Sequence, residues 1–351
     1  MSQFHKLSIQ SITRETEKAV SISFNVPESL KESFTFKAGQ YVTLRAVIDG
    51  HEIRRDYSIC SSVNSGLLKI AVKEVENGVF STYVNRNLKI GDDIDVAPPN
   101  GRFVFEPDAT KKRTIAAVAA GSGITPIMGI IKTLLEDEPN SNFLLIYGNK
   151  TVNDTIFYKS LNTLKESYPN RFYLQEVYSQ SHEEGALFGR IEKSVVNYAF
   201  KNKFKDYVID DYYLCGPEEM INNVTETLIE NGVSKEFIHF ELFTAPVNTK
   251  SQAIEIGNGN SQVTVVVDDE EITFEMPKDK TILEVALAEN VDAPYSCQGG
   301  VCSSCIARIT EGEATMRQNN ILTDSELAEG LILTCQAQPT TAKLTVDYDD
   351  V

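Results

Sequence analysis

No stretch of about 18 apolar residues occurs in this sequence. The best candidate, residues 114–131, is interrupted by Gly121, Gly123 and Pro126, which argues against a helix that crosses a bilayer and against a membrane partner. The first twenty residues carry Glu15 and Glu17 among polar groups and do not read as a secretion signal, so the expected compartment is the cytoplasm. Histidine is scarce, and His5, His51, His182 and His239 are too scattered to share a ligand spacing. No internal repeat is evident. Basic charge is also short: 33 Lys and Arg face 50 Asp and Glu, a net charge of −17. Phosphate backbones would repel such a surface, so no nucleic-acid partner is expected. The imbalance is concentrated, because residues 262–351 hold 5 basic and 17 acidic side chains. A module charged in this way steers toward basic partner surfaces. The run Asp268-Asp269-Glu270-Glu271 by itself reads as a solvated turn.

What is present is ordinary globular composition, 42% hydrophobic and 24% charged over 351 residues, which predicts two or three domains and excludes a mostly disordered chain. Residues 1–107 read as β structure. Val20, Ile22, Phe24 and Val26 alternate, as do Val42, Leu44, Ala46 and Ile48, then Ile53, Tyr57 and Ile59 beyond a turn at Gly50. With strong turn punctuation at Pro98-Pro99-Asn100-Gly101, these short strands predict an antiparallel β-barrel. Residues 108–245 change pattern. The apolar run 113–120 predicts a strand buried on both faces, followed by Gly121-Ser122-Gly123-Ile124-Thr125-Pro126 and a helix with Thr125 as its cap. Further strands at 143–147, 172–178 and 211–215 alternate with helical segments, which predicts an α/β domain with a parallel sheet. Residues 246–261 are small and polar and read as a flexible linker. In 262–351 a hairpin turns at the acidic run, and two capping boxes, at Thr281 and Thr323, open short helices.

Six cysteines are present, and four of them lie in the last 55 residues. Cys297-x4-Cys302-x2-Cys305, with Cys335 following after 29 intervening residues, is the spacing that holds a plant-type [2Fe–2S] cluster. Two sulfide-bridged irons need four thiolates converging from a wrapping loop and one distant segment. Gln298, Gly299, Gly300, Ser303 and Ser304 are small or polar and let backbone N–H groups approach the sulfurs. A zinc staple with four cysteine ligands is the alternative. It usually presents two Cys-x2-Cys pairs, whereas only one occurs here, so the cluster is favoured. Residues 262–351 therefore resemble a plant-type ferredoxin, a β-grasp domain whose members carry single electrons. The resemblance implies Cys297, Cys302, Cys305 and Cys335 as the metal ligands.

Upstream, Gly121-Ser122-Gly123 lies between a buried strand and a helix start, where amides and the helix dipole favour a pyrophosphate. Cys215-Gly216-Pro217 ends the fourth strand of the α/β domain, where ligands of parallel sheets collect. Taken in order with Arg55-Asp56-Tyr57-Ser58 and Gly78-Val79-Phe80-Ser81, these segments resemble the ferredoxin–NADP reductase family. That resemblance implies FAD and a nicotinamide nucleotide. Arg55 would neutralise the flavin pyrophosphate, Tyr57 would stack on the isoalloxazine, and Ser58 would bond its N5. Gly78, Val79, Phe80 and Ser81 would offer amides to the flavin phosphates. Gly121, Ser122, Gly123, Thr125, Gly216 and Pro217 would hold the nicotinamide nucleotide, with Cys215 near the nicotinamide C4. Ser58 and Cys215 are the two expected catalytic residues. The segment Phe240-Glu241-Leu242-Phe243 is expected near the flavin, and Cys60 reads as a small core residue. Many NADP-using members carry Ser-Arg where this chain has Ser179-Gln180. Lys150 could supply the cation for a 2′-phosphate instead, so NADPH is expected and NADH is the alternative.

With a ferredoxin behind this reductase, the whole chain resembles the reductase subunits of phenylacetyl-coenzyme A epoxidases. Related three-part reductases serve Rieske or other oxygenases and the hybrid-cluster protein. The implied function is a reductase passing single electrons from FAD through [2Fe–2S] to a di-iron oxygenase. The rival from another class is a zinc-stapled, nucleotide-binding interaction module, which would be colourless.

Overall fold

The structure is a computed structural model that describes residues 4–243 and 259–351. These form two compact units, Phe4–Phe243 and the described residues from 259 onward. The expected linker at 246–261 lies outside the described residues as far as position 258.

In the first unit, β1 (His5–Thr16), β2 (Ala19–Asn25), β3 (Tyr41–Ile48), β4 (His51–Ser58), β5 (Leu68–Lys73) and β6 (Asp93–Val96) build an antiparallel sheet in the order β4-β3-β6-β1-β2-β5. Beyond β4, Ile59 bridges Ile70 of β5 and closes the sheet into the expected barrel. The alternating residues face inward: Val20, Ile22, Phe24, Val42, Leu44, Ile70 and Val72 share a core with Leu7 and Ile9. Helix α1 (Val79–Arg86) follows β5.

The same unit continues into β7 (Thr114–Ala120), α2 (Ile124–Asp137), β8 (Asn142–Asn149), α3 (Tyr158–Ser167), β9 (Phe172–Tyr178), β10 (Leu187–Phe188), α4 (Lys193–Tyr198), β11 (Asp211–Cys215), α5 (Glu218–Glu230) and β12 (Ile238–Glu241). The strands are all parallel, in the order β10-β9-β8-β7-β11-β12. The chain leaves β7 toward β8 on one side and later returns to β11 on the other. That reversal opens a crevice at the carboxyl ends of β7 and β11. The apolar cluster under this sheet takes in Ala38, Cys60, Ala71, Phe103 and Phe105 from the barrel side, so barrel and parallel sheet share one core. Cys60 is fully buried within it, as its reading as a core residue requires.

The second unit holds β13 (Asn260–Val267), β14 (Glu270–Pro277), α6 (Ile282–Ala288), β15 (Ile306–Glu311), β16 (Ala314–Met316), α7 (Asp324–Ala328), β17 (Leu331–Leu333), β18 (Ala337–Pro339) and β19 (Lys343–Asp347). Its mixed sheet runs β14-β13-β19-β15-β17, with β13 and β19 parallel, as in a β-grasp. The acidic hairpin turn is made by Asp268 and Asp269, both at positive φ. At Thr323 the capping box is complete. At Thr281 only half of it forms: the hydroxyl accepts from the Glu284 amide, while the Glu284 carboxylate pairs with Lys280 instead. No helix among the described residues is long and apolar enough to cross a membrane.

Candidate functional site

Sheet register assembles the cysteine site. Ile306 at the start of β15 pairs with Leu333 at the end of β17, which brings Cys305 beside the segment Thr334–Cys335. The Thr334 amide and hydroxyl both donate to the Cys305 carbonyl, at 3.1 and 3.0 Å, and the buried Tyr348 hydroxyl donates to Thr334 Oγ1 at 2.7 Å. The sulfurs gather two and two: the Cys302 thiol contacts Cys297, and Cys305 contacts Cys335. Among the described residues, no three His, Cys, Asp or Glu side chains close around one point as a single ion requires. The Cys297 charge also acts on Cys305 and Cys335, so the two pairs lie at one site and supply the four thiolates that a [2Fe–2S] cluster takes. The contact from Cys302, followed by the amides of Gly299, Val301 and Cys302, holds the Cys297 thiol well below its ordinary pKa. Thiolate is the form that binds metal.

In the first unit, Ser58 closes β4 and is buried, and its hydroxyl donates to Glu241 Oε2 at 3.4 Å. Glu241 ends β12 directly beside Cys215 at the end of β11. Three chain segments far apart in sequence thus bring Ser58, Cys215 and Glu241 together at the carboxyl edge of the parallel sheet. Burial, then the nearby Asp56 carboxylate, push the Glu241 carboxyl up to about 8, against the lowering effect of Ser58. The Cys215 thiol is fully buried and is pushed well up by desolvation, with Glu241 adding to it. It is therefore a neutral thiol at neutral pH. Glu241 lies in the segment expected near the flavin, but its place beside Ser58 and Cys215 depends on pairing between β11 and β12 that no local motif announces.

Arg55 and Tyr57 alternate along β4. Arg55 is exposed and donates to the Arg54 carbonyl at 2.7 Å. Tyr57 is half-buried and lies against Phe80 at 6.0 Å, which joins the β4 motif to the Gly78–Ser81 turn. Gly78 caps α1 without a side-chain bond. A Cβ there would meet Val75 Cγ2 at 2.3 Å and Ser81 Oγ at 2.5 Å. The Ser81 hydroxyl serves its own turn, donating to the Gly78 carbonyl and accepting from the Val75 amide. A cavity of about 580 Å³ opens beside this turn, between Val47, Ile48, Asp49, Gly78, Thr82 and Tyr83.

The Gly121–Gly123 loop is a 3₁₀ turn, and α2 begins at Ile124 with Gly123 as its cap. Thr125 is therefore inside the helix. Its hydroxyl donates to the Ser122 carbonyl at 3.0 Å instead of capping. Gly123 is required by packing, since a Cβ there would stand 2.0 Å from the Cys215 carbonyl oxygen. Gly121 takes a positive φ of 55°. Lys73 at the end of β5 brings its ammonium to 3.5 Å from the position a Cβ on Gly121 would occupy. That ammonium makes no hydrogen bond or ion pair among the described residues. Neither sequence motif nor spacing pointed to Lys73; only the fold brings it to the loop. Gly216 and Pro217 follow β11 on the other lip of the crevice. Lys150 and Gln180 lie side by side where β8 and β9 end, the Gln180 amide donating to the Lys150 carbonyl at 2.9 Å, and both side chains are exposed.

Comparison with known proteins matches three family models: an oxidoreductase FAD-binding domain over residues 6–105, an oxidoreductase NAD-binding domain over 117–226, and a 2Fe-2S iron-sulfur cluster binding domain over 265–340. The chain is 38% identical to a component of the 1,2-phenylacetyl-CoA epoxidase of Escherichia coli (strain K12), covering 99% of both chains. It is 30% identical to the ferredoxin reductase component of the 3-ketosteroid-9-alpha-monooxygenase of Rhodococcus rhodochrous, over 97% of this chain and 96% of that one. Among solved structures it resembles phthalate dioxygenase reductase, with a TM-score of 0.62 and 25% identity over 98% of both chains.

Proposed function

This chain belongs to the family of oxidoreductases that join FAD-binding, NAD-binding and 2Fe-2S domains and serve as reductase components of oxygenase systems, and from that premise we propose that it is an NADPH-dependent reductase feeding a di-iron oxygenase, a phenylacetyl-CoA epoxidase. The observation that carries the electron-transfer reading is the two-and-two pairing of Cys297 with Cys302 and Cys305 with Cys335. The acceptor rests on the full-length likeness to the Escherichia coli epoxidase component.

When bound, the flavin takes up electrons in pairs and gives them up singly, and the cluster carries one at a time. The protein's part is placement. Tyr57 offers a ring face for the isoalloxazine, and Arg55 a guanidinium for the FAD pyrophosphate, which the amides of Gly78 through Ser81 complete at the start of α1. The match of residues 6–105 to an FAD-binding domain supports FAD over FMN. Gly121, Ser122, Gly123 and Thr125 on one lip and Gly216 and Pro217 on the other frame the nicotinamide nucleotide. Cys215, neutral and dry, fills the crevice floor where hydride would pass, and Ser58 positions the flavin edge from the barrel side. Lys73 supplies a cation to the nucleotide pyrophosphate, and Lys150 one to a 2′-phosphate.

The pure protein should show flavin bands and a broad cluster absorption that bleach with NADPH. A colourless protein holding one zinc would overturn the reading. kcat/KM should favour NADPH, and a tenfold preference for NADH would reverse the nucleotide assignment. Electron delivery to purified oxygenase components of a phenylacetyl-CoA epoxidase, but not to an unrelated Rieske oxygenase, checks the acceptor.

A further inference from the structure

Three consecutive peptides of the cysteine loop are gripped from outside by side-chain amides. Gln336 Nε2 donates to the Gln298 carbonyl at 3.2 Å, Gln318 Nε2 to the Gly299 carbonyl at 2.9 Å, and Asn320 Nδ2 to the Gly300 carbonyl at 3.4 Å. In a trans peptide the C=O and the following N–H point in opposite directions. Pinning those three carbonyls therefore turns the amides of Gly299, Gly300 and Val301 the other way. The structure shows where they go. The Gly299 amide donates to Cys297 Sγ at 3.3 Å, the Val301 amide also reaches Cys297, and the Gly300 amide reaches Cys335.

The grip is itself held together. The Arg317 amide donates to the Gln336 carbonyl at 2.9 Å, which ties the segment carrying Gln318 and Asn320 to the residue after Cys335. Gln336 is buried, and its Nε2 also lies 3.6 Å from Cys335 Sγ. The loop it restrains is not one the backbone adopts freely. Gln298 sits at φ 52° and Gly300 at φ 72°, and a side chain at positive φ needs its surroundings to hold it there.

We propose that Gln336, Gln318 and Asn320 form a carbonyl clip whose function is to aim the loop amides at the cluster sulfurs and so set the cluster's reduction potential. None of the three is a ligand; Gln318 and Asn320 are positioning residues acting through the backbone, and Gln336 adds to its carbonyl contact a direct N–H donation to Cys335 Sγ. Amide hydrogen bonds to the sulfurs favour the more negatively charged, reduced form, so an intact clip raises the potential and a loosened one lowers it. The inference rests on the [2Fe–2S] reading of the four cysteines.

The test uses the full chain with its cofactors. Gln318→Leu and Gln336→Leu keep side-chain bulk and remove the donors. Iron and acid-labile sulfide are assayed first, and then the cluster midpoint potential is measured by redox titration followed by electron paramagnetic resonance. The expected result is full cluster content with a lower potential, the equilibrium constant for reduction falling about tenfold, equivalent to 59 mV for one electron. Gln318→Leu, at a half-buried position, decides, because Gln336→Leu also removes the direct bond to Cys335 Sγ and a Gln336→Leu protein that fails to fold or to keep its cluster gives no potential to read. A loaded variant whose potential matches or exceeds that of the unaltered protein overturns the clip alone. An unaltered protein that takes up no iron or sulfide even on reconstitution overturns the cluster reading, and the clip with it.

Discussion

Glu241 holds a carboxyl beside Ser58 that burial and Asp56 push up to about 8. A carboxyl raised in this way binds its proton more tightly in the folded chain than in the unfolded one. Stability therefore falls as pH climbs from the ordinary carboxylate range, near 4.5, through about 8, and the loss is complete above it. Glu241→Gln should flatten that slope, so that urea midpoints at about pH 6 and about pH 8.5, on either side of the raised value, differ less than in the unaltered protein; an unchanged slope would remove Glu241 as its source. Lys73 is the complementary case. Its ammonium is half-buried, and that desolvation lowers its pKa against the pull of Asp154; it lacks a hydrogen-bonded anionic partner among the described residues while lying next to Gly121. A charge in that state is stabilised when an anion arrives. Lys73→Gln should raise KM for the nicotinamide nucleotide about tenfold, the effect of losing one charge-assisted hydrogen bond, with flavin content unchanged. Loss of flavin instead would assign Lys73 to the FAD phosphates.

Elements meet closely where the crevice forms. Helix α2 starts against the end of β11 with no space for a side chain at Gly123, and its Gly129 passes the Ile59 carbonyl so closely that a Cβ would lie 2.8 Å from the oxygen. Both obstacles are backbone, which cannot rotate aside. Gly123→Ala should cost about 1–3 kcal/mol in chemical unfolding, the usual penalty for overpacking, and should weaken nucleotide binding because Cys215 and Gly216 are displaced together. A variant with an unshifted urea midpoint would show that α2 slides without cost. The four central strands of this layer were readable from their largely apolar runs: β9 and β11 lie where the sequence places them, and β7 and β8 differ only at their ends, whereas the short edge strands β10 and β12 were not foreseen. β1 was not readable. Apart from Leu7, Ile9 and Ile12 it carries polar residues on both faces, and it is held by pairing with β2 and β6 rather than by a sustained alternation of its own.

At the scale of the whole chain, each compact unit has its own apolar core, the parallel sheet and barrel in one and the cysteine-bearing sheet in the other. Damage to the cluster should therefore stay local. Cys335→Ser should abolish electron delivery to an oxygenase, while NADPH oxidation by a small dye that draws directly on the flavin stays within about twofold; this follows from cores that fold separately. Loss of both activities together would show that the first unit depends on the cluster for its structure.

Sequence alone determined what depends on local pattern: the barrel's alternation, the parallel strands' apolar runs, the four cysteines at a spacing that only a wrapping loop uses, and the order of the flavin and nucleotide motifs. Tertiary structure decided what depends on strand order and register. It set Glu241 beside Cys215, carried Lys73 from the barrel to Gly121, moved Thr125 from helix cap to helix interior, and closed Gln318, Asn320 and Gln336 around the cysteine loop. The physical reason is the same in each case. A hydrophobic period or a ligand spacing is written along the chain, whereas a contact between residues far apart in sequence exists only once the sheets have fixed which strand edges lie side by side.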